Sequence, residues 1–350
     1  MPDHYRLLGG PGSPYSLKMR AVLRYRRIPH TWAVPRGYLQ TAPELQKAAK
    51  GMIPVMQIPE GDYWADTTPM IYALEQRHPG VRSIVHPDPA SAFLSHLVED
   101  FGDEMLVQPM FAYRWSKTLD QQFCSRRQMA GWLGATPSAQ FDDIVSKFIA
   151  RQTERLARMG TLQRNMPFLE HVYLRTLDAI ERLLDESDYL FGSRPALADF
   201  GLYGQLSQCA IDPSASDIFK ARAPRAFQWV QTLDDASGNE GEWRAVDAPE
   251  PQGLCELTAL IAEIYVPYLV ANAQAKAAGA PMVEMQFAGR EFVARTAPYP
   301  ARCLQWLKAE FAGLDAPARD RVRALLGDAV VAALHAEPAE LAATPPQEPR

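Results

Sequence analysis

The chain has 350 residues, 47% hydrophobic and 22% charged, with a formal net charge of −5, which leaves room for two domains or a little more and disfavours a wholly disordered chain or a nucleic-acid binder. Cys124, Cys209, Cys255 and Cys303 lie far apart with no Cys-x-x-Cys, and the seven histidines form no i, i+4 pair, so the thiols are expected reduced and no metal centre is expected. No run of 18 apolar residues and no basic-then-apolar N-terminus occurs, from which a cytoplasmic protein with no membrane span is expected.

Residues 5 to 78 alternate short strands and helices. Tyr5 to Leu8 reads as a strand and Gly9-Gly10-Pro11-Gly12 as a turn. Pro14 suits the first helical position, which places Ser13 at the N-cap of a helix running to Arg27. Arg24, Arg26 and Arg27 at its end read as surface charges matched to the helix dipole. His30 to Val34 is a second strand, and Pro43 to Lys50 a short helix stopped by Gly51. The strand over residues 51–58 carries Pro54 near its start, which calls for a cis Ile53-Pro54 bond or an edge position in trans. Tyr63-Trp64-Ala65 pairs back as a hairpin, and Thr68-Pro69 opens a helix ending at Arg77-His78. The order strand, helix, strand, helix, strand, strand, helix is that of thioredoxin.

Residues 79–90 read as a linker. Beyond them Leu94, Leu97, Val98, Phe101 and Met105 mark an amphipathic helix that Pro109 kinks or ends, with Glu99, Asp100, Asp103 and Glu104 on faces expected to be solvated. Phe111, Tyr113, Arg114 and Trp115 continue it. Polar helical segments around 125–160 are broken by Gly131, Gly134 and Pro137, and helical spacing returns from Phe168 to Leu184. In the helix beginning near Ala196, Asp199 can bond back to N-terminal N–H groups, and Gly201 and Gly204 suggest close packing on a neighbour. A further helix spans Pro224 to Leu233. An apolar helix from Leu254 to Ala278, a hairpin over 282–294, two helices over 300–334 and a disordered Pro, Ala and Glu-rich tail from 337 complete the chain.

At Ser13 a side chain sits beside unpaired N–H groups and the positive end of a helix, so the residue is either a plain cap or a hydroxyl able to donate to a thiolate brought by a ligand. Ser16, one turn inward, and Tyr5, on the first strand, are the other hydroxyls in reach.

Ser13-Pro14-Tyr15-Ser16, Ile53-Pro54-Val55, Asp66-Thr67 and Ala196-Leu197-Ala198-Asp199 together resemble the motifs of the glutathione transferase superfamily, over roughly residues 4 to 235. The resemblance implies an α+β fold: a thioredoxin-like domain over residues 1–80, an all-helical domain over 90–245, a mainly helical extension over 250–336 and a disordered tail over 337–350. It implies that glutathione is the co-substrate, its cysteinyl amide on the backbone of Ile53 beside Pro54, its ammonium on Asp66, its carboxylate near Thr67 and its thiol at Ser13. A small electrophile would occupy a pocket between the halves, with Tyr113, Arg114 and Trp115 as its wall, in a homodimer without metal. Met52 departs from the lysine or glutamine the family often has before the Ile-Pro pair. Ala196 departs from its capping Ser or Thr, so Ala196→Thr is expected to raise the melting temperature. The alternatives are a non-catalytic interaction module of the same fold and a glutathione-dependent reductase or isomerase.

Overall fold

The computed structural model describes residues 4–35, 43–48, 52–80, 82–159, 163–345 and 347–349. Its first part is a four-stranded sheet of β1 (Tyr5–Leu8), β2 (His30–Ala33), β3 (Val55–Gln57) and β4 (Tyr63–Ala65) in the order β2-β1-β3-β4, with β1 and β2 parallel and the other pairs antiparallel. Successive residues of a strand face opposite sides. Leu7 and Met56 therefore join the main core with α1 (Pro14–Tyr25) and α2 (Thr67–Arg77), while Leu8, Val55 and Ala65 cover Leu45 of a 3-10 turn over Pro43–Lys47. Leu8 pairs with Val55 and Val55 with Ala65. That row fixes the site, because the loop to Ser13, the cis Ile53-Pro54 bond and Asp66 all leave the sheet at its one end.

The expected order of elements holds, with shifts at the ends. Helix α1 stops at Tyr25 because Arg27 takes a positive φ of 53°. The arginines beyond its midpoint tie segments together rather than match a dipole: Arg24 donates to Asp234, Arg26 is buried with Glu75 and the His78 carbonyl, and Arg27 meets Glu240. Helix α2 is capped by Asp66, not Thr68. The Gly51 stop falls outside the described residues.

The helical part comprises α3 (Pro89–Glu104), α4 (Val107–Ser116), α5 (Thr118–Leu133), α6 (Ser138–Met159), α7 (Met166–Leu183), α8 (Leu197–Cys209), α9 (Pro213–Arg222) and α10 (Pro224–Leu233). The break between α3 and α4 lies at Met105 and Leu106, the turn before Pro109, whose ring would meet the carbonyl of residue 105 in a continuous helix. Gly201 does mark a close crossing. A Cβ there would lie 2.6 Å from Glu99 Cα on α3, and one on Gly102 would lie 2.7 Å from the Gly201 carbonyl carbon.

This contact overturns the solvated reading of the acidic cluster, since Glu99, Asp100 and Asp103 are buried. Lys18, itself buried, donates to Glu99 and at 2.6 Å to Asp103, and Thr68 donates to Glu99 at 2.6 Å. Burial alone would lower the Lys18 pKa, but the two carboxylates outweigh it and hold the ammonium charged. Alternation of charge in the sequence could not reveal this because the partners are 81 and 85 residues away.

The extension consists of α11 (Gln252–Leu260), a wide π turn (Ile261–Tyr265), α12 (Val266–Ala277), β5 (Met282–Phe287), β6 (Arg290–Arg295), α13 (Pro298–Gly313), α14 (Ala316–Leu326), α15 (Asp328–Leu334) and α16 (Pro338–Ala342). The π turn falls just before Pro267, which has no N–H to continue an α ladder. By length and apolarity the stretch Gln252–Ala277 could cross a membrane, but here it packs on α7, α13 and α14. Within the tail from 337 on, expected to be disordered, Pro338–Ala342 form α16, tied to α13 by a Lys308–Glu340 ion pair at 3.0 Å, and Trp306 Nε1 donates to the Pro345 carbonyl at 2.9 Å. The extension also reaches back to α3 of the helical part: Arg321 meets its cap Asp88 at 2.7 Å, Glu310 meets His96 at 2.7 Å, and Tyr265 donates to Asp100 at 2.7 Å.

Candidate active site

Ser13 is the N-cap of α1, in extended conformation, and its Oγ accepts from Ser16 N at 3.3 Å. Accepting leaves the hydroxyl proton free to be donated elsewhere. The preceding loop is held tightly. A Cβ on Gly12 would lie 2.3 Å from the Gln128 side chain, and one on Gly10 would lie 2.5 Å from Trp132, so α5 presses on the loop where only glycine fits.

From the other side Arg114 donates to the Gly12 carbonyl at 3.0 Å and to Gln208 Oε1 at 2.7 Å, with Asp212 on its Nε. Gln208 in turn donates to the Pro11 carbonyl at 3.2 Å. Arg114 is 4% exposed and Asp212 1%, so the pair is a buried clamp on the loop. Burial alone would lower the Arg114 pKa, and the Asp212 carboxylate more than offsets it.

In front of Ser13 opens a cavity of about 440 Å³. Gly12, Ser13, Pro14, Tyr15, Gln46, Met52 and Ile53 form one wall, and α4, α5 and α6 supply the rest among the described residues. On α4 the lining positions Val107, Met110, Phe111 and Arg114 recur at three and four residues, with Trp115 beside them. Tyr113 falls on the opposite face, packed on Tyr173 and donating to Glu170 at 3.4 Å, so it is not part of the wall. Ile53 follows Met52, which is 60% exposed, and no hydrogen bond holds its backbone groups among the described residues.

The other expected binding residues lie apart from this cavity. Pro54 is buried behind Ile53, and Asp66 and Thr67 do not line it. Asp66 caps α2 with φ 82°, a conformation rare for a residue with a Cβ, and its side chain makes no bond to the helix. Its Oδ1 instead accepts from the Tyr299 hydroxyl of α13 at 2.9 Å. Thr67 is buried and its hydroxyl donates to Asp103 at 3.4 Å. Of the alternative hydroxyls, Ser16 Oγ is buried with no hydrogen-bond partner among the described residues, and Tyr5 OH faces His78 at 3.0 Å, away from the cavity. Tyr15 also lines the cavity; burial drives its pKa well up, so it stays neutral, donating to the Asp103 carbonyl at 2.9 Å.

Sequence reading missed Gln128 and Trp132 on α5 and the α6 face Phe148, Arg151, Gln152 and Arg155. The α6 set recurs at three, four and seven residues, a signal that its mixed polarity hid. Among the described residues no group of His, Cys, Asp or Glu could hold a metal ion.

The family model for the glutathione S-transferase N-terminal domain matches residues 7–82, and that for the glutathione S-transferase C-terminal domain matches residues 171–232. A comparison with curated proteins finds no match. Among solved structures the chain is similar to a glutathione S-transferase from Rhodospirillum rubrum, at 16% identity and TM-score 0.43, over 72% of this chain and 99% of that one. It is also similar to a glutathione S-transferase from Methylobacterium radiotolerans in complex with glutathione sulfonate, at 20% identity and TM-score 0.42, over 70% and 99%. The β-etherase LigF from Sphingobium sp. strain SYK-6 matches at 17% identity and TM-score 0.48, over 66% and 95%.

Proposed function

Because the chain belongs to the glutathione S-transferase superfamily, with that family's N- and C-terminal domains at 7–82 and 171–232, we propose that it is a glutathione-dependent transferase acting on a small electrophile. The observation that carries this reading is Ser13, a helix cap with a donatable proton, lining the same cavity as Ile53, whose backbone has no hydrogen bond among the described residues. Glutathione lies extended along Ile53 with its thiol at Ser13, its ammonium on Asp66 and its carboxylate near the start of α2 at Thr67. A free thiol of this kind titrates near about 8.5, so a hydroxyl donor and the end of a helix raise the thiolate fraction at neutral pH. The sulfur lone pair then forms the new bond to the electrophile, whose leaving group departs with its own electron pair.

Calorimetry with glutathione and ultraviolet absorbance of the bound thiolate test this. Ser13→Ala is expected to raise the bound thiol's pKa and to lower kcat/KM by about 10²-fold, the loss typical of one anion-stabilising donor. An unmoved pKa removes the role from Ser13. The interaction-module alternative draws on one observation, that Tyr299 already holds Asp66. Absence of glutathione binding at millimolar concentration would favour it. The four cysteines are unpaired, which supports a reducing, cytoplasmic setting. The homodimer implied by family resemblance belongs to the same reading, and sedimentation velocity against the 39.0 kDa chain mass measures it.

A further inference from the structure

Two guanidinium groups share one carboxylate behind the loop that carries Ser13. Arg114 of α4 donates through Nε to Asp212 Oδ2, and Arg127 of α5 meets Asp212 Oδ1 at 3.3 Å. Both also donate to Gln208 Oε1, Arg114 at 2.7 Å and Arg127 at 3.0 Å. The cluster reaches the loop at two points, from Gln208 to the Pro11 carbonyl at 3.2 Å and from Arg114 to the Gly12 carbonyl at 3.0 Å. It carries one positive charge more than it cancels.

The groups around it do not make up the difference. Cys124 donates to Asp212 at 3.2 Å, and burial drives the thiols of Cys124 and Cys209 up, so both stay neutral. Among the described residues no Asp or Glu lines the cavity; its charged groups are Arg114 and, on α6, Arg151 and Arg155, and Tyr15 is a neutral phenol. Further along α1, Lys18 is matched by Glu99 and Asp103. The imbalance shows at Arg127. Burial lowers its pKa, the like charge of Arg114 lowers it further, and Asp212 offsets only part. Its Nε is buried with no acceptor among the described residues, and at 20% exposure its charge is screened far less than a surface one.

We propose that Arg127 is a positioning residue for the charge at Ser13: with Arg114 it leaves one positive charge uncompensated behind the loop, and that fixed charge favours a sulfur anion at Ser13 without touching it. A fixed cation costs no reorganisation when the anion forms, which is what makes such a charge effective. Only the identity of the sulfur, glutathione's own, rests on the transferase reading above. The field at residue 13 does not.

A thiol placed at that position by Ser13→Cys reads the field directly, through the pH dependence of its alkylation by iodoacetamide, with the Ser13 chain as the blank for the four native cysteines. Adding Arg127→Gln is expected to raise its pKa by about one unit, a tenfold loss of thiolate at neutral pH, the effect of a unit charge at a remove of roughly 10 Å in an effective dielectric near ~20. Arg127→Lys should restore the value, because it restores the charge. Arg126→Gln, the same change of net charge at an exposed neighbour paired with Asp142, should leave it in place. Circular dichroism confirms that each variant is folded. An unmoved pKa in Arg127→Gln, an equal shift in Arg126→Gln, or no recovery in Arg127→Lys overturns the proposal. Ultraviolet absorbance of bound glutathione, in the chain that keeps Ser13, is expected to show the same rise in Arg127→Gln. A shift at the introduced thiol but none in bound glutathione would overturn the assignment to glutathione's sulfur. A shift at the introduced thiol in a chain that binds no glutathione would support the field at residue 13 and remove the transferase reading alone.

Discussion

Two helices, α1 and α2, begin at the same end of the sheet, and their first residues are treated in opposite ways. At α1 the cap Ser13 bonds back to its own helix and faces an open cavity. At α2 the cap Asp66 has a positive φ, makes no side-chain cap bond to its helix, and receives the Tyr299 hydroxyl from 233 residues away. The first mouth is set by local chemistry, a Gly-rich turn followed by Ser-Pro. The second is set by the extension, so what that end of the site can hold depends on α13 staying where it is.

The largest expected effect lies at the first mouth. Arg114→Ala takes the Nε donor from buried Asp212, leaving it to Arg127 and Cys124, frees the Gly12 carbonyl and removes the guanidinium that holds Gln208 against the Pro11 carbonyl. Removing one partner of a buried pair costs about 3–5 kcal/mol, which urea unfolding would register. Arg114→Lys should recover little, because an ammonium cannot reach Asp212, Gln208 and the loop together. A small loss in both variants would show that glycine packing against Gln128 and Trp132 holds the loop unaided.

The second mouth depends on the contact that fastens α13 to α3. His96 is 3% exposed; burial would lower its pKa, but Glu310 outweighs it, with Glu99 and Asp100 adding to the pull, and holds it at about 9. The Tyr72 ring packs edge-on against it. A histidine held above its unfolded value of 6.5 contributes stability that is complete below pH 6.5 and lost as pH rises through 9. Across that window the wild type should lose on the order of 3 kcal/mol more than His96→Gln, with the two converging at high pH. Parallel curves would mean that the ion pair does not fasten the extension.

What could be read from the sequence follows the same division. The sheet, α1, the cis bond at Pro54 and the Ser13 cap are specified by residues within a few positions of one another. The burial of Glu99 and Asp103, the clamp from Arg114 and Gln208 onto the Ser13 loop, and the hold of Tyr299 on Asp66 join residues about 80 to 230 apart. Nothing in the spacing of one partner encodes the other. Tyr113 differs for a smaller reason: a contiguous aromatic run suggests one wall, whereas a helix turns its members to different faces.

On the proposed function Asp66 holds the glutathione ammonium, and Tyr299 is then a positioning residue for that carboxylate. Burial pushes the Tyr299 hydroxyl far up, so it remains a donor at any working pH. Tyr299→Phe should raise KM for glutathione about three- to tenfold, the worth of one hydrogen bond, and leave kcat in place. A fall in kcat with KM unchanged would place the hydroxyl's influence at the thiol instead, and the contrast between the two mouths would collapse.

The smallest effect concerns α8, which packs against both α1 and α3. The missing hydroxyl at Ala196 is partly replaced from outside the helix, since Ser95 Oγ of α3 accepts from Ala198 N at 3.0 Å, while Asp199 accepts from Ala196 N at 2.7 Å. The gain expected from a new cap at Ala196 is therefore less than the usual ~1 kcal/mol. Ser95→Ala should cost about 1 kcal/mol, and Ala196→Ser, the smaller choice at a fully buried position, should return part of it in the Ser95→Ala background while adding little to the wild type. Simple additivity in this double-mutant cycle would show that the two hydroxyls serve different N–H groups. Non-additivity would show that a helix start can be capped from its neighbour across a packed interface, as Asp66 is held from α13.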